Sequence, residues 1–250
     1  MSGHSKWSTI KRKKGAADAK RGALFGKLSR AITVAAREGG GDPEMNANLA
    51  LAVQKAKDAN MPNDNIDRAI AKGTGSGADA AEYEHITYEG YAPGGVAVLV
   101  DVLTDNRNRA ASDVRYIFSK NGGKLGTSGS VSYLFDRKGV IMVPSENTDE
   151  DELMLAALDA GAEDVEADGD YFRVTTEATE FMAVRQGFED AGIAYENAQI
   201  SMEPQNTIDL DASTAKQTLR LIDALEENDD VQEVYSNFDA SEEVMAEVAG

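Results

Sequence analysis

The apolar pattern of this chain changes period once, at Gly73-Thr74-Gly75-Ser76-Gly77-Ala78, and that change limits the folds open to it. Before the glycines, apolar residues recur at helical spacing. Leu24, Leu28, Ala31, Ile32 and Ala35 fall on one arc of a helix predicted over 17–38, at about 100° per residue. Gly39-Gly40-Gly41 ends that helix. Asp42-Pro43-Glu44 then offers a capping acid, a proline for the first turn and an acid near the positive end of a second helix, which packs through Leu49, Val53 and Ala56. Asn60-Met61-Pro62 breaks the chain again. A short third helix carries Ile66, Ala69 and Ile70, with Gly73 closing it.

Beyond the glycine linker the pattern is that of strands: one over 84–88, and one over 95–102 whose run Val96-Ala97-Val98-Leu99-Val100 reads as buried on both faces. A helix over 108–121, a glycine-rich loop and a strand over 131–135 follow. From Val140 the order is strand, helix, strand, strand, helix, strand, over 140–143, 150–160, 164–167, 171–175, 178–191 and 195–202, with Asp168-Gly169 as the hairpin turn. That is the ferredoxin-like order. One helix (213–227) and one strand (231–238) remain, and the half-built sheet before residue 140 needs them. The fold class predicted is therefore α+β: a small N-terminal helical domain (1–75), then two ferredoxin-like α/β sandwich domains, one inserted in the other. The middle domain takes 80–138 plus 205–240, and the inserted acidic domain 139–204.

Charge follows this division. Residues 1–75 carry 14 basic and 7 acidic side chains, a balance of +7; residues 76–140 balance at −1 and residues 141–250 at −25. In the first forty residues ten side chains are Lys or Arg, and only Asp18 and Glu38 are acidic. A polyanion would be repelled by the C-terminal half and drawn to the N-terminal part. The stretch His4-Ser5-Lys6-Trp7, the run Lys11-Arg12-Lys13-Lys14, and Lys20, Lys27 and Arg30 along the first helix form the expected phosphate contact, with Arg37 extending the stripe. Trp7 could stack on a base or anchor the arm on the helical domain. The acidity of the remainder has a second explanation, adaptation to a salty cytoplasm.

Other motifs bear on function by inclusion or exclusion. Thr104-Asp105-Asn106-Arg107-Asn108-Arg109 sets two arginines at a helix N-terminus, where they oppose the helix dipole by a few tenths of a kcal/mol each. Either Arg107 and Arg109 serve a bound phosphate or carboxylate, or they pair with acids of a neighbouring domain. Gly122-Gly123-Lys124-Leu125-Gly126-Thr127-Ser128-Gly129 lacks the Gly-Lys-Ser/Thr ending of a phosphate loop and opens a strand, so it reads as a hairpin loop. Asp164 through Asp170 departs from a calcium loop, because Thr175 stands where a bidentate Glu is needed. His4 and His85, the only histidines, fit neither a metal nor a triad spacing, and there is no cysteine. These patterns predict no catalytic residue, metal or cofactor. With no apolar run of about 18 residues and no signal-type apolar segment, they predict a cytoplasmic location and no membrane partner.

Several long motifs resemble the YebC/PmpR family, which includes a mitochondrial translational activator of cytochrome oxidase. They are Gly3-His4-Ser5-Lys6-Trp7, the basic run from Ile10 to Lys14, Asn60-Met61-Pro62, Tyr88-Glu89-Gly90-Tyr91-Ala92-Pro93-Gly94-Gly95, Thr104 to Arg109, and Gly126 through Tyr133. The likeness is dense over residues 2–136 and one of layout beyond. It implies three domains and a non-enzymatic regulator of gene expression acting on nucleic acid, with no small-molecule substrate. Members of the family are described as promoter-binding transcriptional regulators, and others as ribosome-associated translation factors that relieve stalling at difficult stretches such as consecutive prolines. The expected partner is DNA, or alternatively ribosomal RNA within the ribosome. The same cations would serve both.

Overall fold

The computed structural model describes residues 18–75, 83–146 and 148–249. His4, Lys6, Trp7, Lys11, Arg12, Lys13 and Lys14 lie outside the described residues, as does the side chain of Lys20. The chain divides into two compact units, one of residues 133–206 and one of residues 2–132 together with 207–250.

The larger unit opens on three helices, α1 (Asp18–Gly39), α2 (Ala47–Asp58) and α3 (Asn63–Thr74). Leu28, Ile32 and Ala36 of α1 close on Leu49, Val53 and Ala56 of α2 and Ile66 and Ala69 of α3. Leu24, predicted to pack, is 43% exposed. At about 1.5 Å per residue, α1 is some ten residues longer than its partners and its first turns outrun them. Two ends differ from expectation. Asn46, not Asp42, caps α2: its Oδ1 accepts from Leu49 N (3.1 Å), and its Nδ2 donates to Ala35 O and Gly40 O (both 2.8 Å). One buried amide thus satisfies both the start of α2 and the frayed carbonyls of α1. Gly73 does not end α3 but lies inside it, where a Cβ would stand 2.4 Å from Thr33 O. A larger residue there would push α3 off α1. The break at Asn60-Met61-Pro62 is a Schellman motif: Asn60 adopts a left-handed φ of 57°, Asn60 N donates to Lys57 O and Met61 N to Ala56 O (2.8 and 2.9 Å), and the Met61 side chain is buried.

The rest of this unit is an antiparallel sheet ordered β3-β1-β2-β9. Its strands are β1 (Glu84–Tyr91), β2 (Ala97–Thr104), β3 (Lys124–Leu125) and β9 (Val231–Ser236). On β2 the alternation puts Val98, Val100 and Val102 on one face. There they meet Ala110, Val114 and Phe118 of α4 (Arg107–Lys120) and Leu219, Ile222 and Leu225 of α7 (Ala212–Glu226). Phe118 is fully buried and fills the space over Gly90, where a Cβ would lie 2.6 Å from its ring. Deleting such an aromatic costs about 3–5 kcal/mol. Strand β9, from the C-terminal segment, pairs antiparallel with β2, Val100 opposite Val234. A short parallel pair, β8 (Ile208–Asp209) with β10 (Phe238–Asp239), and a last helix, α8 (Glu242–Ala249), were not foreseen.

The second unit has the order βαββαβ, from β4 (Phe135–Pro144), α5 (Glu150–Asp159), β5 (Asp164–Asp168), β6 (Tyr171–Glu177), α6 (Phe181–Asp190) and β7 (Asn197–Pro204), in a sheet ordered β5-β6-β4-β7. This is the ferredoxin-like arrangement. The strand expected at 131–135 is instead a single 3-10 turn, Ser132–Leu134. Phe135 belongs to β4, where it pairs with Pro204. Gly139 sits against Phe181 of α6, so by alternation Gly139, Ile141 and Val143 face the helices, while Val140 and Met142 cluster with Tyr171 on the opposite face. Among the described residues no helix is long and apolar enough to cross a membrane.

Candidate nucleic-acid interface

Helix α1 borders cations on two sides. Toward the C-terminal segment, Lys27 Nζ donates to Glu226 O at 2.6 Å, a cation on the carbonyl end of α7, where the helix dipole is negative. One turn on, Arg30 Nη1 donates to Asp229 O (2.9 Å), Asp230 Oδ1 (3.2 Å) and Leu103 O (3.3 Å). Asp230 is buried and collects more: its Oδ2 accepts from Arg109 Nη2 (2.8 Å) and Thr104 Oγ1 (3.0 Å). Lys55 of α2 meets Glu233 of β9 in the same seam. The stripe expected to face solvent is, at Lys27 and Arg30, turned onto the acidic turn between α7 and β9. Its attraction is local: the chain there reads Glu226-Glu227-Asn228-Asp229-Asp230.

The two arginines of the 104–109 loop part company. Asn106 caps α4, accepting from Arg109 N at 3.1 Å. The Arg109 side chain pairs with Asp105 (2.9 Å) as well as Asp230, and these hydrogen bonds, Asp230's first, raise its pKa further. Its dipole penalty is thereby offset from within the unit. Arg107 is 70% exposed, and among the described residues its ion pair is with Glu84, at 3.8 Å. Along the solvent side of α4 it is followed by the exposed Arg115, Tyr116 and Lys120, with the Lys120 ammonium 5.6 Å over the Tyr116 ring.

The glycine-rich loop after α4 does hold an anion, though one of its own. Glu89, buried at 6% exposure, accepts from Gly129 N (2.6 Å), Val131 N (2.7 Å) and Ser132 N (2.9 Å). Burial pushes its carboxyl up, but the three backbone donors more than reverse this, and the pKa lies below the usual value. A ring of N–H groups that resembles a phosphate cradle is therefore filled from inside.

The other direction from α1 is different. Between α1 and α3 lies a cleft of about 520 Å³, bordered by Phe25, Arg30, Asn65, Arg68, Lys72 and Tyr83, and no carboxylate lines it among the described residues. The Arg30 guanidinium lies 5.5 Å over the Tyr83 ring. Arg68 is held by its own helix, through Asp64 O at 3.0 Å and Asn65 Oδ1. Arg68, Lys72, Phe25 and Tyr83 escaped the sequence reading, because Arg68 and Lys72 stand apart from the basic run and the cleft exists only once α1 and α3 cross. Spacing does place Arg68 and Lys72 at i and i+4, which was the available signal. No cluster of three metal-ligating side chains occurs among the described residues.

Residues 5–76 match the family described as "TACO1/YebC protein N-terminal domain", and residues 83–238 match "TACO1/YebC second and third domain". The chain belongs to the TACO1/YebC family. A TACO1/YebC relative from Rubrobacter xylanophilus, named "Probable transcriptional regulatory protein", is 82% identical over 250 residues, covering 100% of both chains. One of the same name from Halothermothrix orenii is 56% identical, with 99% of each chain covered. The crystal structure of a conserved hypothetical protein from Aquifex aeolicus superposes with a TM-score of 0.80 at 49% identity, over 90% of this chain and 93% of that one.

Proposed function

We propose that this chain is a non-enzymatic regulator of gene expression that grips a sugar-phosphate backbone through its N-terminal helical segment, with DNA as the target. The observation that carries the reading is the charge division, +7 over residues 1–75 against −25 over residues 141–250, together with the cations of α3 that border a cleft lined by no carboxylate among the described residues. The relatives named as transcriptional regulators support it. In this reading His4, Lys6, Trp7, Lys11, Arg12, Lys13, Lys14 and Lys20 lead onto the duplex and Arg107 makes a second contact, while Lys27, Arg30 and Arg109 chiefly hold the seam that fixes the helices. Contacts of this kind position a protein on a backbone and read no sequence.

If phosphates are neutralised by these side chains, log K for duplex DNA falls with log salt by roughly 0.9 per phosphate, and replacing Lys11, Arg12, Lys13 and Lys14 with Ala flattens the slope by several units. A slope that does not move sinks the arm's role. The second reading is a translation factor on ribosomal RNA. It is favoured by the aromatic residues in the cleft, which suit unpaired bases better than a duplex. Co-sedimentation of the intact protein with ribosomes, set against protection of promoter DNA, separates the two.

A further inference from the structure

We infer that the cleft between α1 and α3 is a binding site for one unstacked nucleotide of a single-stranded nucleic acid, its base against Tyr83 and Phe25 and its phosphate on Arg68 and Lys72. This deepens the backbone-gripping reading above and rests on it. Four observations converge. The first is size: 520 Å³ falls within the roughly 300–1,000 Å³ of small-ligand sites, enough for a nucleotide and too little for a duplex. The second is charge. Among the described residues Lys72 forms no ion pair, Arg68 bonds only a backbone carbonyl and a neutral amide, and no acid borders the cleft. At the seam, by contrast, Arg30 and Arg109 are matched by Asp230 and Lys55 by Glu233.

The third observation is chemical variety. Two aromatic rings lie in the same cleft as the two cations, and stacking on such rings accepts any base. The guanidinium of Arg30 over Tyr83, itself anchored by Asp230, pins that ring in place before a ligand arrives. The fourth is hydrogen bonding. Asn65 and Ser29 border the cleft, and an amide with a hydroxyl can meet the edge of a splayed base, which in a duplex is occupied by pairing. An arm of clustered lysines needs none of this to hold a phosphate backbone. Rings, amide and cations in one cleft suit a ligand with both a flat face and a charge.

The experiment measures binding of the full chain to a labelled single-stranded RNA, the same sequence as single-stranded DNA, and the corresponding duplex, by fluorescence anisotropy over a salt series. Tyr83→Ala is expected to weaken the single strands roughly tenfold, and Tyr83→Phe by no more than about twofold, since stacking persists without the hydroxyl. Replacing Arg68 and Lys72 together by Ala should flatten the single-strand salt slope by roughly 1.4 units, about 0.7 per charge. The duplex should respond to neither. Equal weakening of duplex and single strands, or no weakening of either, overturns the cleft assignment while leaving the backbone-gripping reading intact. Failure of the unaltered protein to bind any of the three nucleic acids overturns both. Thermal unfolding of each variant identifies any that has lost its fold, and the salt slope of the Arg68 and Lys72 double variant keeps the test decisive if Tyr83→Ala is among them.

Discussion

The two sides of α1 are bordered by the same kind of side chain, and the cations there do opposite things. On the seam side, Lys27 and Arg30 end on the carbonyls of Glu226 and Asp229 and on the carboxylate of Asp230. On the cleft side, Arg68 and Lys72 of α3 border, with Phe25 and Tyr83, a space lined by no acid among the described residues. A count of lysines and arginines cannot tell these apart, because the field a ligand meets is what remains after internal acids have been matched. Glu89 in its ring of backbone donors teaches the same for anions: a loop built to hold a negative group is no site once the chain supplies that group.

The sharpest way to break the comparison is at Asp230. Asp230→Ala takes one carboxylate from Arg30, Arg109 and the buried hydroxyl of Thr104 together, leaving Arg30 its backbone carbonyls and Arg109 its pair with Asp105. Hydrogen bonds to charged groups contribute roughly 1.5–3 kcal/mol, so chemical denaturation should show a loss of about 2–3 kcal/mol, with nucleic-acid affinity not reduced. A stability change below about 0.5 kcal/mol, typical of an ordinary surface site, would show that the seam is ornamental and that Arg30 is as available to a ligand as Lys72.

Next in size is Glu89→Gln. The carboxylate's two oxygens accept from three N–H groups, whereas an amide offers one oxygen and turns an NH2 toward a donor. The expected loss at neutral pH is about 1–2 kcal/mol. The folded pKa of Glu89 is depressed, so its contribution is fully present above the ordinary value of 4.5 and is lost as pH falls through the lower folded value. Wild type and variant should therefore converge in stability under acid and diverge as pH rises. Parallel stability curves across pH 2–7 would contradict the assignment.

Much of the fold was legible in local chemistry. The chain break at Asn60-Met61-Pro62, the buried run of β2, the βαββαβ order after Val140 and the return of the C-terminal strand to the first sheet all follow from period, punctuation and the need to complete a sheet. What failed depended on distant partners. Gly73 reads as a helix stop until Thr33 O is found beside it, and Asp42 reads as a cap until Asn46 is seen bridging two helices. The strand expected at 131–135 is displaced where Glu89, some forty residues earlier, accepts from the backbone N–H groups of Gly129, Val131 and Ser132. The candidate site was less legible than the fold. Its cations were sought where they cluster in sequence, while the cleft assembles single residues from two crossing helices and from Tyr83, which no periodicity joins.

The smallest effect sharpens the comparison most. Arg68 and Lys72 lie on the exposed side of α3, and neither has an acidic partner among the described residues, Arg68 being held only by its own helix. Alanine is a good helix former at both positions, so their removal should leave stability within about 0.5 kcal/mol of wild type, while Asp230→Ala costs several times as much. Urea midpoints of the two proteins, taken with their salt slopes on a single-stranded oligomer, separate cations that build the molecule from cations available to a ligand. If the Arg68 and Lys72 double variant loses as much stability as Asp230→Ala, the cleft cations belong with those of the seam and not with the charge open to a polyanion.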